Sequence, residues 1–203
     1  MPRTMLTDQH WLKLKSIVHN FGIYLKHNLR NFIEAILYRI RTGCPWRDLP
    51  AVFGKPNSIF KKFTRWCKDS KLLKIFKLLS SHADLEWVFI DTSHVRAHQH
   101  ATGIKDQAIS KSVGGNSSKI HLAVDANGNP IEFIIGDGTT HDVKVAPDLI
   151  DCLDFKETEI LCADKGYDSE SLRVKIENTQ TKANIPKKSN SKSSNEHMDW
   201  YLT

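Results

Sequence analysis

The chain has 203 residues, of which 40% are hydrophobic and 26% are charged, and this composition suits a soluble globular protein of one large or two small domains. No apolar run approaches membrane-spanning length and the N-terminus lacks an apolar signal core, so we expect neither a transmembrane helix nor a signal peptide. Four cysteines are scattered without a Cys-x-x-Cys pair, which predicts reduced thiols in a cytoplasmic protein.

Charge is distributed unevenly along the chain. Residues 1–80 hold 16 Lys and Arg against 4 Asp and Glu, whereas residues 81–203 hold 13 against 19. Residues 1–80 are therefore predicted to bind a polyanion, and residues 81–203 are predicted to bind metal ions. A solvated basic face is the simpler explanation for the first part, because such faces are common.

Four helices are predicted before a boundary at residues 80–82, from apolar residues that recur at helical spacing. The first begins at Thr7 or Asp8, the second runs from about Asn28 to Thr42, the third is capped by Asn57 or Ser58, and the fourth spans Leu72 to Leu79. Gly43 is predicted to end the second helix.

Basic residues lie beside the apolar stripes of the second and third helices. The inward residues are predicted to be Phe32, Ile33, Ile36, Leu37 and Ile40 in the second helix, and Ile59, Phe60, Phe63, Trp66 and Cys67 in the third. The basic residues outside these stripes include Arg39, Arg41, Lys61, Lys62, Arg65 and Lys68. A short helix of this kind after two others resembles the second helix of a helix-turn-helix, although ordinary helices show similar patterns.

A proline-flanked tryptophan separates the second and third helices. The segment Gly43-Cys44-Pro45-Trp46-Arg47-Asp48-Leu49-Pro50 cannot form a long helix or a central strand. It is predicted to be a structured turn with Trp46 packed beneath it.

Two apolar runs each end in an aspartate. Trp87 to Ile90 precede Asp91, and Ile160 to Ala163 precede Asp164; both runs are typical of fully buried strands. An isolated aspartate here would only cap its strand or open a turn. Two such strands instead predict a divalent-metal site, because Mg²⁺ is held by hard oxygen ligands, often one or two carboxylates.

The segment after Asp91 carries His94, Arg96, His98 and His100. Close histidines suggest zinc, but their spacing matches no standard zinc pattern, and a loop bearing His and Arg could equally contact phosphates. Residues 101–117 are rich in Gly, Ser and Lys and are predicted to form a mobile loop.

The remaining elements complete a mixed sheet. A hairpin is predicted from strands 119–124 and 131–135, joined through Asn127-Gly128. A helix from Thr140 or Asp142, the strand before Asp164, a helix capped by Ser169 and an edge strand at 183–186 follow. The predicted fold class is α+β, with the first and fourth strands central, as in ribonuclease H. Residues 187–195 are expected to be disordered.

Several of these segments together resemble the DDE transposases of bacterial insertion sequences, specifically insertion-sequence family five and its relatives. The matching segments include Leu6 to Trp11, Arg39 to Pro50, Ile90 to His100, Lys119-Ile120-His121, His141-Asp142 and Ala163 to Asp168. One small departure is Ser110, where relatives usually carry Gly. The resemblance covers nearly the whole chain, from Leu6 to Leu202.

This resemblance implies a helical DNA-binding domain at 1–82 and a ribonuclease H-like catalytic domain at 83–203. It also implies that Asp91 bridges two Mg²⁺ ions, which Mn²⁺ can replace, and that Asp164 binds one of them. The expected partners are the terminal inverted repeats and target DNA, bound by a homodimer in the bacterial nucleoid. Residues expected to contact DNA are Arg39, Arg41, Trp46, Arg47, Lys61, Lys62, Arg65, Lys68, His94, Arg96, His98, Lys119 and Lys165.

The third catalytic acid of the family has no counterpart in this sequence. The family places a Glu on a basic helix a few dozen residues after the second Asp, and Glu196 lies too early to replace it. We therefore expect a truncated catalytic domain that binds DNA but cuts it poorly when alone.

Three other interpretations stay open. One is a non-catalytic DNA-binding regulator derived from a transposase. Another is an unrelated metal-dependent nuclease that uses the Asp pair with His94, His98 and His100. In the third, the basic helices form a protein-interaction surface.

Overall fold

The structure, a computed structural model, describes residues 4–20, 28–81, 83–97, 108–112, 115–189, 191, 198–199 and 201. The chain forms two compact units, Met1–Leu79 and Ser80–Thr203. None of the described helices has the length and apolar character needed to cross a bilayer. All four cysteines are free thiols.

The first unit is helical. Its helices are α1 (Asp8–Asn20), α2 (Leu29–Thr42), α3 (Pro56–Lys68) and α4 (Lys71–Ser80), with short 3-10 turns at Trp46–Asp48 and Ala51–Phe53 between α2 and α3. The four predicted helices are confirmed, and the proline-flanked segment is the predicted turn.

Local chemistry accounts for the helix ends. The Thr7 hydroxyl accepts a hydrogen bond from the His10 N–H at 3.1 Å, which satisfies one free donor of the first turn of α1. Gly43 ends α2 in the left-handed region, at φ 68°. The predicted cap of α3 at Asn57 or Ser58 is wrong: the helix begins at Pro56, whose missing N–H costs nothing in the first turn.

The core of the helical unit includes Phe32, Ile36, Ile59, Trp66 and Ile75. The rings of Phe32 and Trp66 meet edge to face with centroids 5.0 Å apart. This contact joins α2 to α3 through aromatic packing.

Three predicted core positions are exposed. Ile40 is 70% exposed because the inner stripe of α2 continues to Arg39, whose guanidinium covers Trp46. Phe60 is 43% exposed and Cys67 is also exposed, because each lies one position, or about 100°, past the inner stripe of α3.

The second unit contains one mixed sheet. Its described strands are β1 (Trp87–Arg96), β2 (Ser110–Ser112), β3 (Gly115–Asp125), β4 (Pro130–Asp137), β5 (Ile160–Ala163) and β6 (Lys182–Asn184), with helices α5 (Asp142–Asp151) and α6 (Glu170–Glu177). The sheet order is β2-β3-β1-β5-β6, and β4 also pairs with β3.

This order is ribonuclease H-like, as predicted. β1 is antiparallel to β3 and parallel to β5, so β1 and β5 are the central strands. The core packs Val88, Ile90 and Leu161 of the sheet against residues such as Leu149 and Ile176 of the two helices. The fold class is therefore α+β.

Two segments differ from their sequence predictions. β1 extends to Arg96 because it pairs with β3 as far as Ser117, so His94 and Arg96 lie on a strand and not in a loop. Within the predicted mobile loop, Ser110–Ser112 is β2, and the start of β3 follows it. Residues 98–107 and 113–114 lie outside the described residues, as does most of the predicted disordered segment.

The hairpin between β3 and β4 confirms the Asn-Gly signal. Gly128 has a positive φ of 78°, which a glycine adopts at no steric cost. The Asp125 carboxylate accepts the N–H groups of Asn127 and Asn129 at 2.9 and 2.7 Å, and these bonds hold the turn closed.

Candidate active site

Asp91 and Asp164 occupy matching positions on neighbouring parallel strands. The last paired residues of β1 and β5 are Ile90 and Ala163, and the two aspartates come next on their chains. Since adjacent strands are about 4.8 Å apart, the two aspartates lie at neighbouring positions of the sheet. Both aspartates are exposed.

Backbone donors orient one oxygen of each carboxylate. The Thr92 N–H donates to Asp91 Oδ1 at 2.7 Å, and the Gly166 N–H donates to Asp164 Oδ1 at 2.8 Å. Such bonds restrict the rotamer and leave the remaining lone pairs for another ligand. A Cβ at Gly166 would lie 2.8 Å from Asp164 Oδ1, so this position must stay small for the carboxylate to remain in place.

A buried polar network lies beside the two aspartates. The Thr92 hydroxyl is 3.0 Å from His121 Nδ1 and 2.5 Å from the Tyr167 phenol oxygen. His121 is fully buried, Tyr167 is 1% exposed, and His121 Nε2 has no hydrogen-bond partner among the described residues. Thr92 and Tyr167 follow the two aspartates by one and three residues, so the network joins the two strands that carry them.

An ion pair extends this network onto α5. Lys119 Nζ donates to Asp142 Oδ1 at 3.0 Å and to the Thr140 carbonyl at 2.8 Å, and the Lys119 side chain is only 10% exposed. The same Asp142 oxygen lies 3.9 Å from His121 Nδ1. Lys119 therefore joins β3 to the start of α5, and its predicted DNA contact stays a prediction.

Burial keeps Tyr167 and His121 uncharged. Burial raises the pKa of Tyr167 well above its ordinary value, and the charges of Asp142, Asp91 and Asp164 raise it further against the opposing hydrogen bond with Thr92. Burial lowers the pKa of His121, although Asp142 acts in the opposite direction. A neutral phenol and a neutral imidazole can hold the network together without adding charge beside the aspartates.

Sequence reasoning missed this network for a reason visible in β3. Its buried positions are Ser117, Lys119, His121, Ala123 and Asp125, whereas the alternate apolar positions are only half buried. Strands usually bury apolar residues, so a strand that buries polar residues departs from the usual pattern. The polar residues at alternate positions of β3 were the sequence signal that could have indicated this network.

The carboxylate oxygens of Asp91 and Asp164 fit a hard divalent cation. Two exposed carboxylates suit Mg²⁺ or Mn²⁺, which take oxygen ligands. The part of the chain that the structure describes contains no group of three or more His, Cys, Asp or Glu side chains able to hold a metal. His94 is exposed on β1, whereas His98, His100 and Glu196 lie outside the described residues.

The predicted DNA-binding residues are not equally accessible. Arg39 and Lys62 are partly buried and lie over aromatic rings, with Arg39 4.5 Å from the Trp46 centroid and Lys62 4.2 Å from that of Phe32. The exposed members in the helical unit are Arg41, Arg47, Lys61, Arg65 and Lys68, and those in the second unit are His94, Arg96 and Lys165.

Comparisons with known proteins give consistent results for both units. Residues 83–198 match the family model described as Transposase DDE domain, and residues 6–76 match the model DUF4096 for transposases of the IS4/5 family. The uncharacterized protein y4sN of Sinorhizobium fredii (strain NBRC 101917 / NGR234) is 33% identical over 125 residues, which are 60% of this chain and 95% of that protein.

One solved structure also aligns with the chain. It is the Mos1 transposase paired-end complex with left transposon end, at 10% identity and a TM-score of 0.34, over 89% of this chain and 68% of that one.

Proposed function

The chain belongs to the family of DDE transposases, and we propose that it binds the ends of an insertion sequence and catalyses metal-dependent cutting and joining of DNA strands. The observation that carries this proposal is the placement of Asp91 and Asp164 one residue beyond the last pair of two parallel central strands. Two paired central strands are a suitable support for two metal ligands, because the strands fix the spacing of those ligands.

The two aspartates would hold Mg²⁺, for which Mn²⁺ can substitute. The bound ions would activate water or a DNA 3′-hydroxyl and stabilise the leaving oxygen. The chain itself supplies the ligand positions: the Thr92 and Gly166 N–H groups orient the carboxylates, and the Thr92–Tyr167 contact fixes one strand against the other.

The helical unit would supply DNA affinity. Exposed cations such as Arg47, Lys61 and Arg65 can neutralise backbone phosphates, with affinity that falls as salt rises. The proposed targets are the terminal inverted repeats and target DNA. We infer that two copies act together, since two ends must be cut in one event.

We further propose that the chain alone cleaves slowly. We assign two carboxylate ligands, Asp91 and Asp164, whereas two-metal chemistry needs a well-defined ligand set. Binding of ends without any cleavage would instead favour the regulator interpretation.

The test measures DNA binding and metal binding separately. DNA duplexes taken from the two flanks of the gene are compared with an unrelated duplex by band shift in EDTA, and Mn²⁺ binding is followed by electron paramagnetic resonance. Asp91→Asn and Asp164→Asn should each weaken Mn²⁺ binding and abolish cleavage while DNA binding persists. Asp148→Asn, at an exposed position on α5, is the matched control.

Either of two results would overturn the proposal. One is Mn²⁺ binding by Asp91→Asn and Asp164→Asn that equals the wild type. The other is equal affinity for the flanking and unrelated duplexes, since a transposase must prefer its own ends.

A further inference from the structure

The helical unit has a cavity of about 700 Å³ between the Trp46–Asp48 turn and the start of α3. Its walls are mostly apolar and include Pro45, Trp46, Pro56 and Phe60. Ligand pockets have volumes of roughly 300–1,000 Å³, so the cavity is large enough for a nucleotide-sized group.

Aromatic rings form one wall of this cavity. The Trp46 centroid lies 5.6 Å from that of Phe60 and 5.0 Å from that of Phe63, and Phe60 remains 43% exposed. Phe63 supports Trp46 from the core side, because it packs against the buried cluster of the helical unit. Trp46, Phe60 and Phe63 therefore form one aromatic cluster at the cavity, with Phe60 exposed.

Two arginines also line the cavity. The Arg39 guanidinium lies 4.5 Å from the Trp46 ring centroid, and its buried Nε has no hydrogen-bond partner within the described residues. Arg47 lines the same cavity and is exposed. No Asp or Glu is among the lining residues of the described chain, so an occupant would meet positive charge and aromatic surface together.

We propose that this pocket takes one unpaired nucleobase of a DNA strand, stacked on Trp46 and Phe60, with its phosphate near Arg47. Every base offers a π face that stacks on aromatic side chains, and arginine adds cation–π and phosphate contacts. An apolar segment of a protein would use the rings but would gain nothing from the arginines. The net positive charge of residues 1–80, 16 Lys and Arg against 4 Asp and Glu, favours a polyanion as the occupant.

This inference rests on the proposed DNA binding and adds a preference for unpaired DNA. The experiment compares two flank-derived duplexes of the same sequence, one fully paired and one with a single unpaired nucleotide. Fluorescence anisotropy in EDTA reports both affinities without cleavage. The wild-type chain should bind the duplex with the unpaired nucleotide at least about tenfold more tightly, which corresponds to about 1.4 kcal/mol.

Two variants test the residues. Phe60→Ala and Trp46→Ala should each reduce the preference to less than about threefold, and Phe60→Ala should keep an affinity for paired DNA close to that of the wild type. Trp46 also supports the turn, so circular dichroism is used to check that Trp46→Ala is folded. If Trp46→Ala unfolds, the test relies on Phe60→Ala, because Phe60 is at an exposed position. Leu73→Ala, on α4 at 44% exposure, is the control and should keep the full preference.

The outcomes separate this proposal from the one on which it rests. Equal affinity for both duplexes, or a preference that Phe60→Ala leaves intact, overturns the pocket and leaves DNA binding standing. No affinity for either duplex overturns DNA binding itself. If sedimentation shows that Phe60→Ala turns a dimer into a monomer and the base preference is absent, the pocket is a protein interface instead.

Discussion

The hydroxyl of Thr92 lies 2.5 Å from the phenol oxygen of Tyr167, although 75 residues separate them. Thr92 follows Asp91 on β1, and Tyr167 follows Asp164 by three residues in a 3-10 turn. The contact therefore joins the two segments that present the aspartates. It gives the candidate metal site a support that does not depend on metal.

Tyr167→Phe removes this contact and keeps the buried ring. We expect the free energy of unfolding to fall by about 0.5–1.5 kcal/mol, because one buried hydrogen bond is lost with little change in packing. Urea unfolding followed by circular dichroism measures the change. Tyr201→Phe is the control, since Tyr201 is 99% exposed, and equal effects of the two variants would contradict a structural role for the Tyr167 hydroxyl.

Gly166→Ala tests how closely the backbone holds Asp164. The added Cβ would lie 2.8 Å from Asp164 Oδ1, and the carboxylate can move away at low cost because it ends a flexible side chain. We expect a small change in stability and a loss of about tenfold in Mn²⁺ affinity, as for other changes next to metal ligands. Ser171→Ala is the control variant, and wild-type Mn²⁺ affinity in Gly166→Ala would show that Asp164 tolerates displacement.

The strand order and the position of both aspartates could be predicted from the sequence. Each aspartate follows an apolar run, and the ribonuclease H-like order makes those runs neighbours, which the pairing of Ile90 with Ala163 confirms. Their catalytic role stays a prediction. Pairing beyond Asp91 was not predicted, because the segment up to Arg96 has no continuous apolar pattern and is fixed by its partner β3.

The orientation of β3 could not be predicted from hydrophobicity. Ile120, Leu122 and Val124 suggest the inward face, yet Lys119 and His121 are the buried residues. The polar face can be buried because its groups find partners on other elements, Asp142 for Lys119 and Thr92 for His121. Those partners are distant in sequence, so no local pattern reveals them.

Variants of Lys119 and Lys61 should distinguish a structural lysine from a lysine that contacts DNA. Lys61 is exposed on α3, so Lys61→Met should reduce the slope of log affinity against log salt concentration by about 1. Lys119→Met should leave that slope unchanged and lower the free energy of unfolding by about 1–3 kcal/mol, because Asp142 loses its ion pair. Band shifts across a salt series and urea unfolding measure the two effects. A slope that falls equally in both variants would show that Lys119 contacts phosphate.

Asp137 should make stability depend on pH through the turn that leads into α5. Its carboxylate accepts the hydroxyls and N–H groups of Thr139 and Thr140, and these bonds, the side-chain ones first, hold the pKa of Asp137 far below its ordinary value. A carboxyl group whose pKa is lower in the folded state stabilises the fold at pH values above its unfolded pKa, near 3.8. That contribution is lost as pH falls further toward the folded pKa.

Asp137→Asn should therefore lower the free energy of unfolding by about 1 kcal/mol at pH 7, since an amide can replace only part of this acceptor set. The difference from the wild type should shrink as pH falls from about 5 to about 2, because the wild-type carboxyl group then loses its charge. Urea unfolding at a series of pH values measures both, with Asp148→Asn as the exposed control. A difference that stays constant with pH would mean that Asp137 acts through packing and not through its charge.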